Sequence, residues 1–346
     1  MDWEIKRGQP WPYGLFVWQN HLNLAFELPE KKKTGRGNPE NSHPDERKLE
    51  IRIYDLLKKT SVTMPINAGW RLGRSYGVCL ELQPTEADGA GRASIENYGY
   101  QVLCNGETIP MLYGKAKRRM AGKDVYLFKE KAFDWDGDVS PKLDFDDIIL
   151  YKLHVRGFTK HASSGVERRG TFEGLAEKIS YLKELGVNAL ELMPVYDFKT
   201  VNPEDGQKDE RKNYWGYGPA DFMAVKPEYA VDPEHAGESL KRLIRALHRE
   251  GMEVYLELLF TKKEDTEFKL ACLRHWVLDY HVDGFHLNAE MTPIKEILSD
   301  ALLADTKIMS ENFDGSCDKN VCGKRRAIYH NAFQDGMRQF LRGDEG

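Results

Sequence analysis

The chain has 346 residues, of which 41% are hydrophobic and 30% charged, a balance that supports sizeable cores and excludes both a stapled miniprotein and a wholly disordered chain. Lysine and arginine number 50 against 55 acidic residues, a net charge of -5, and no long basic stripe offsets it, so nucleic acid is excluded as an expected partner. No stretch approaches the roughly 18 uninterrupted apolar residues of a membrane span, and Met1-Asp2-Trp3-Glu4-Ile5 lacks the basic start and apolar run of a secretory signal.

Five cysteines, Cys79, Cys104, Cys272, Cys317 and Cys322, make an odd and scattered set, which suits reduced thiols and an expected cytoplasmic location. Cys317 and Cys322 bracket four residues, but no second pair or clustered histidine completes a metal site, and neither a metal nor a cofactor is expected.

Up to about Pro141, short apolar runs such as 49–54 and 98–104 lie between Gly, Pro, Asn and Asp, the texture of a small all-β domain. The polar stretch from Leu28 to Leu49 reads as a solvated hairpin loop, and Trp11, Trp18 and Trp70 read as core. Residues 133–147 set Asp134, Asp136 and Asp138 around Trp135 without the spacing of a calcium loop, and read as an interdomain connector. The expected division is a β-domain over 1–141 and a second domain over 142–346.

From Ile148 buried-strand runs alternate with amphipathic stretches, the pattern of a parallel sheet in an α/β domain. Strands are predicted over 148–155, 187–193, 253–260, 283–288 and 307–311, with a weaker one over 327–330. Helices are predicted behind the N-cap Thr171 to the stop at Gly186, over 238–250, over 266–281, after Pro293 with Ile294, Ile297, Leu298, Ala301 and Leu302 on one face, and over 334–341. His154 reads as a hydrogen-bonded core histidine. Glu257 is an acid inside an apolar run, costly unless paired.

In parallel α/β barrels the working groups stand at the carboxyl ends of the strands, here Glu257, Thr261, Lys262, Asn288 and Glu311. Tyr214, Trp215 and Tyr217 can flank such a mouth, and aromatic faces beside hydrogen-bonding groups suit a sugar.

The segments YKLHVRGFT (151–159), 170–195, NYWGYGPADFMAVKPEYAVDP (213–233) and HVDGFHLN (281–288) resemble the α-amylase family, glycoside hydrolase family 13, and within it the pullulanase, isoamylase and glycogen-debranching branch. The resemblance extends over the first segment, where GQPWPYG and NYGYQVLCNG are similar to an immunoglobulin-like, glycogen-binding β-sandwich. It implies a (β/α) TIM-type barrel, an α-glucan ligand, and retaining hydrolysis by a carboxylate nucleophile and a carboxylic acid about 5–5.5 Å apart.

Carried over residue by residue, the acid falls on Glu311 and the nucleophile on Asn288, an amide far weaker than a carboxylate. His286 stands where the family has an arginine, and Glu257-Leu258-Leu259-Phe260-Thr261-Lys262 replaces its Asp-x-Val-x-Asn-His. The resemblance also implies sugar contact at Tyr217, with Trp215, His286 and Glu257 lining the site. Glu257 is expected to be neutralised by Lys262 or His286. The loop after Lys262 is short, and the segment from Asp147 holds 200 residues where a whole barrel takes about 250, so the barrel is expected to be incomplete. Three functions remain open: an α-glucan-binding relative without hydrolase activity, a pseudoenzyme; an active debranching hydrolase; and a fragment or scaffold subunit needing a protein partner.

Overall fold

Alternation builds the first unit. In Leu49–Asp55 the side chains of Leu49, Ile51 and Ile53 are buried while Glu50, Arg52 and Tyr54 between them are partly exposed, as a strand with one face on a core requires. The computed structural model describes residues 3–18, 21–28, 47–82, 95–120, 122–129, 132–200, 213–313 and 325–343, and the chain divides into two units, 1–132 and 133–346.

The first unit contains β1 (Trp3–Arg7), β2 (Gly14–Trp18), β3 (His21–Glu27), β4 (Leu49–Asp55), β5 (Thr60–Ile66), β6 (Arg71–Leu72), β7 (Ser75–Leu82), β8 (Tyr98–Cys104), β9 (Glu107–Ile109), β10 (Lys117–Met120) and β11 (Lys123–Leu127). One antiparallel sheet runs β1-β7-β3-β2 with β6 on β7, and the other β10-β11-β8-β4-β5 with β9 on β8. Leu22, Leu24, Val78 and Leu80 from the first and Ile51, Ile53, Tyr100 and Val102 from the second form one apolar core. Trp70 packs at the edge of that core, but Trp11 is 51% exposed, which corrects its reading as core. The expected loop at 29–46, the side chain of Trp18, and Cys317 and Cys322 lie outside the described residues.

The second unit contains β12 (Leu150–Leu153), α1 (Val155–Lys160), α2 (Phe172–Ala176), α3 (Ile179–Glu184), β13 (Ala189–Leu192), β14 (Tyr196–Phe198), β15 (Ala220–Val225), α4 (Ala236–Arg249), β16 (Glu253–Leu258), α5 (Thr266–Tyr280), β17 (Gly284–Leu287), α6 (Ile294–Ser299), β18 (Lys307–Ser310), β19 (Arg326–Ile328) and α7 (Asn331–Arg342). Six strands form one parallel sheet in the order β12-β13-β16-β17-β18-β19. The weak strand predicted near 327 is thus formed.

Thr171 caps α2 by accepting the Gly174 N–H at 3.1 Å, and Gly186 ends the following turn at φ +78°. The stripe predicted after Pro293 breaks at Asp300, whose carboxylate instead accepts the Leu302 N–H at 2.9 Å and caps a separate 3-10 turn, leaving Leu302 half exposed.

The sheet curls. Glu191 on β13 reaches His286 on β17 across β16 at 2.7 Å, and Tyr329, just past β19, donates to Glu191. Flat strands spaced about 4.8 Å apart would hold β13 and β19 roughly 19 Å apart, so these bonds require the arc of an incomplete TIM-type barrel. Residues 133–147 pack with the second unit, where Leu143 N–H donates to Glu253 at 2.7 Å and Ser140 to Asp283.

Candidate active site

Inside the arc, register sets the chemistry. Lys152 lies opposite Glu191 on β12 and β13, and Glu257 opposite His286 on β16 and β17. Parallel pairing projects each pair to one face, and curvature brings the two pairs together at the carboxyl ends of the strands.

The expectation that Lys262 or His286 neutralises Glu257 is corrected. Lys152 Nζ stands 2.8 Å from Glu257 and 3.0 Å from Glu191, one ammonium shared by two carboxylates. His286 Nδ1 lies 3.8 Å from Glu257, beyond hydrogen-bond reach, and 2.7 Å from Glu191. A carboxylate only accepts, so Nδ1 carries the proton and donates to Glu191; the 3.4 Å approach of Lys152 Nζ to the same atom is then proximity alone. Among the described residues Lys262 makes no ion pair. The physical reason is topological: a loop lysine five residues on points to solvent, while a neighbouring strand supplies a cation already in register.

Glu191, Glu257 and His286 are buried, at 0%, 3% and 3% exposure. Burial pushes the Glu191 carboxyl up, but the bond from His286 and the charge of Lys152 outweigh it and hold the group below its ordinary value. Burial likewise works against the Lys152 ammonium and is outweighed by Glu191 and Glu257, which raise it. Tyr217 donates to Glu257 at 3.2 Å, and burial followed by that carboxylate pushes its phenol up to about 12. Burial and Glu191 raise Tyr329 as well, so both hydroxyls stay protonated donors at neutral pH.

Asn288 closes β17 with its amide engaged, Nδ2 donating to Phe260 C=O at 2.8 Å. Glu311 follows β18 with its side chain 60% exposed and its Oε1 3.8 Å from His286 Nε2. Thr261 accepts nothing from the mouth; its N–H and hydroxyl donate to Glu264 at 2.7 and 2.8 Å and close their own turn.

The aromatic loop is braced from within. Asn213 donates to Tyr217 C=O at 2.8 Å and accepts the Gly216 N–H at 3.0 Å. Tyr214 stacks on His154 with ring centres 4.4 Å apart, and Trp215, 54% exposed, stands edge-on to Tyr214. His154 is buried and doubly bonded as expected: Nδ1 accepts the Gly157 N–H at 2.9 Å, and Nε2 lies 2.9 Å from Tyr214 C=O. Burial lowers its pKa.

Glu191, Glu257 and His286 hold their ligand atoms within 4.8 Å of one another. Two carboxylates and an imidazole can ligate a metal, but Lys152 occupies the space between the carboxylates and already supplies the compensating charge.

Residues 152–271 match the catalytic domain of alpha-amylase. Over this stretch the chain is similar to the α-amylase family. The rice chloroplastic isoamylase 3 is 30% identical over 302 residues, covering 64% of this chain and 38% of its own length. The glycogen debranching enzyme of Enterobacter sp. (strain 638) is 28% identical, covering 58% and 38%. Among solved structures, the type I pullulanase of Bacillus subtilis str. 168 complexed with maltose superposes with a TM-score of 0.66 at 19% identity, covering 94% of this chain and 51% of its own. The chain thus spans under half the length of these curated relatives.

The family's debranching branch is the one the sequence resembles. The expected cytoplasmic location is corrected by the rice relative, which is chloroplastic; an odd, scattered set of cysteines cannot distinguish one reducing compartment from another.

Proposed function

We propose that this chain binds α-glucan at the aromatic rim of its half-barrel and does not hydrolyse it. The observation that carries the reading is the state of the mouth. The residue aligned with the nucleophile is Asn288, its amide tied to Phe260, and the two buried carboxylates nearby, Glu191 and Glu257, are tied to Lys152. Retaining hydrolysis needs a free carboxylate within about 5–5.5 Å of the acid, and each carboxylate bound to an ammonium is a poor nucleophile. Glu311 in this reading is an inherited rim residue. Tyr217, Trp215, His286 and Glu257 line the binding surface, the first unit is an immunoglobulin-like glycogen-binding module, and the maltose named with the Bacillus subtilis structure supports an α-glucan as ligand.

A second reading, a half-barrel that works beside a protein partner, draws support from α7, where Phe333, Met337 and Phe340, spaced along one helix side, are 67%, 40% and 77% exposed.

The test pairs two measurements on the purified chain. Native electrophoresis through glycogen is expected to retard the protein, and reducing-end release from pullulan and amylopectin is expected to be nil. Asn288→Asp is expected to stay silent, because His286 and the Lys152 bridge remain. Unretarded mobility overturns the binding half of the proposal, and reducing ends released by the unaltered chain overturn the other.

A further inference from the structure

A second cluster of chemistry lies on the first unit, far in sequence from the family motifs. Strands β1, β7 and β3 run side by side with Tyr76, Val78 and Leu80 turned to the core, so the alternate residues of β7, Cys79 and Glu81, stand on the outer face. The antiparallel registers set Glu81 between Glu4 and His21, and Cys79 between Lys6 and Asn23. A ring nitrogen of His21, Cys79 Sγ and a Glu81 oxygen lie within 4.8 Å of one another.

We propose that His21, Cys79 and Glu81 form a site for a divalent transition-metal cation of the zinc class, with the fourth position open to water or an external ligand. Imidazole, thiolate and carboxylate are the three donor types such an ion takes, at about 2.0–2.3 Å each in a tetrahedral arrangement. His21 Nδ1 already stands 3.0 Å from Glu81 Oε1, close to the separation of two ligand atoms on one ion. The donors sit on paired strands, so their backbone spacing is fixed before the ion arrives.

The neighbours leave the site room to work. Lys6 holds the other oxygen, Oε2, of Glu81 at 3.0 Å and also reaches Glu4 at 3.2 Å; its side chain is 48% exposed and keeps Glu4 if the ion draws Glu81 away. Asn23 is spent on Gln9, accepting its N–H at 2.7 Å and donating to its C=O at 2.9 Å. Burial and Glu81 hold the Cys79 thiol above its ordinary pKa, so the metal-free group is a thiol and loading releases its proton to solvent. This contrasts with the barrel cluster, where a lysine sits between the carboxylates.

Co²⁺ is the probe, because a cobalt-bound thiolate gives a sulfur-to-metal charge-transfer band in the near ultraviolet. Titration of the full-length, metal-stripped chain is expected to give that band at one equivalent, with Zn²⁺ displacing it. Cys79→Ser is expected to abolish the band and His21→Gln to weaken Co²⁺ binding by more than about tenfold. Both positions face outward, and a cooperative melt at the parent temperature shows that each variant folds. Cys104→Ser and the double variant Cys317→Ser/Cys322→Ser are expected to keep the band. Its survival in Cys79→Ser, its loss in the Cys317/Cys322 variant, or its absence from the unaltered chain overturns the proposal.

Discussion

The two ends of the half-barrel hold buried carboxylates in opposite ways. At the amino ends of the strands Glu253, fully buried, receives Lys307 Nζ at 2.7 and 2.8 Å, the Tyr255 hydroxyl, and the Leu143 N–H at 2.7 Å. One anion faces one cation there, and neutral donors complete the set. At the carboxyl ends a single lysine, its side chain 33% exposed, serves both Glu191 and Glu257, and the remaining bonds come from Tyr217, Tyr329 and His286. The first arrangement is sealed and structural. The second has solvent in reserve and donors that can exchange, which is how a mouth differs from a floor although both use the same residue types.

Three substitutions bear on that contrast, in falling order of effect. Lys307→Met strands Glu253 in a dry site and is expected to cost about 3–5 kcal/mol in urea unfolding of the chain; a cost below about 1 kcal/mol would erase the distinction. His248→Phe comes next. His248 lies between Asp138 and Asp283, with Nδ1 and Nε2 each 3.0 Å from a carboxylate oxygen. Asp138 would keep His281 at 2.8 Å and Asp283 would keep Ser140 and the Val254 N–H, so about 2–3 kcal/mol is expected. Lys152→Met should cost least, about 1–2 kcal/mol, since three neutral or imidazole donors and water remain for its two acids.

The His248 site also fixes a pH dependence. Burial works to lower this imidazole, but the bonds and charges of Asp283 and Asp138 outweigh it and raise its pKa. A raised folded-state value means the stabilisation is complete below the unfolded histidine value of about 6.5 and is lost as pH climbs through the folded value. The urea midpoint of the unaltered chain is therefore expected to fall on that alkaline side, and His248→Phe to lack that component. A variant with an unchanged slope would show that the histidine is neutral in the fold.

Much of the barrel could be read from residue pattern, because apolar runs, Thr171 and Gly186 act locally. The site was legible only where a polar residue interrupts such a run. Glu257 was recognisable in this way, and Glu191 in Ala189-Leu190-Glu191-Leu192 carries the same signal, yet it was not singled out. Lys152 and Tyr329 gave no comparable cue, since only the curl of the sheet brings β12 and β19 to their partners. Lys262 drew attention by closeness in sequence, whereas register chose a lysine 105 residues away. Register likewise joins His21 to Cys79 and Glu81 on one face, which the intervening sequence hides. Neither β14 nor β15 is predicted from the sequence, and their pairing follows from register with no local signal to announce it.

The bonds made by residues 133–147 give that irregular stretch an unusual standing. Leu143 N–H ends on a carboxylate of the barrel floor, just as Val254 N–H inside β16 ends on Asp283 at 2.7 Å. Amide exchange with deuterated water reports the free energy of opening each such bond, and loops ordinarily exchange near the fast limit. Leu143 must wait for Glu253 to be released, an event that dismantles the floor itself. Its amide is therefore expected to exchange on the timescale of the central strands and to vanish from the protected set together with Val254.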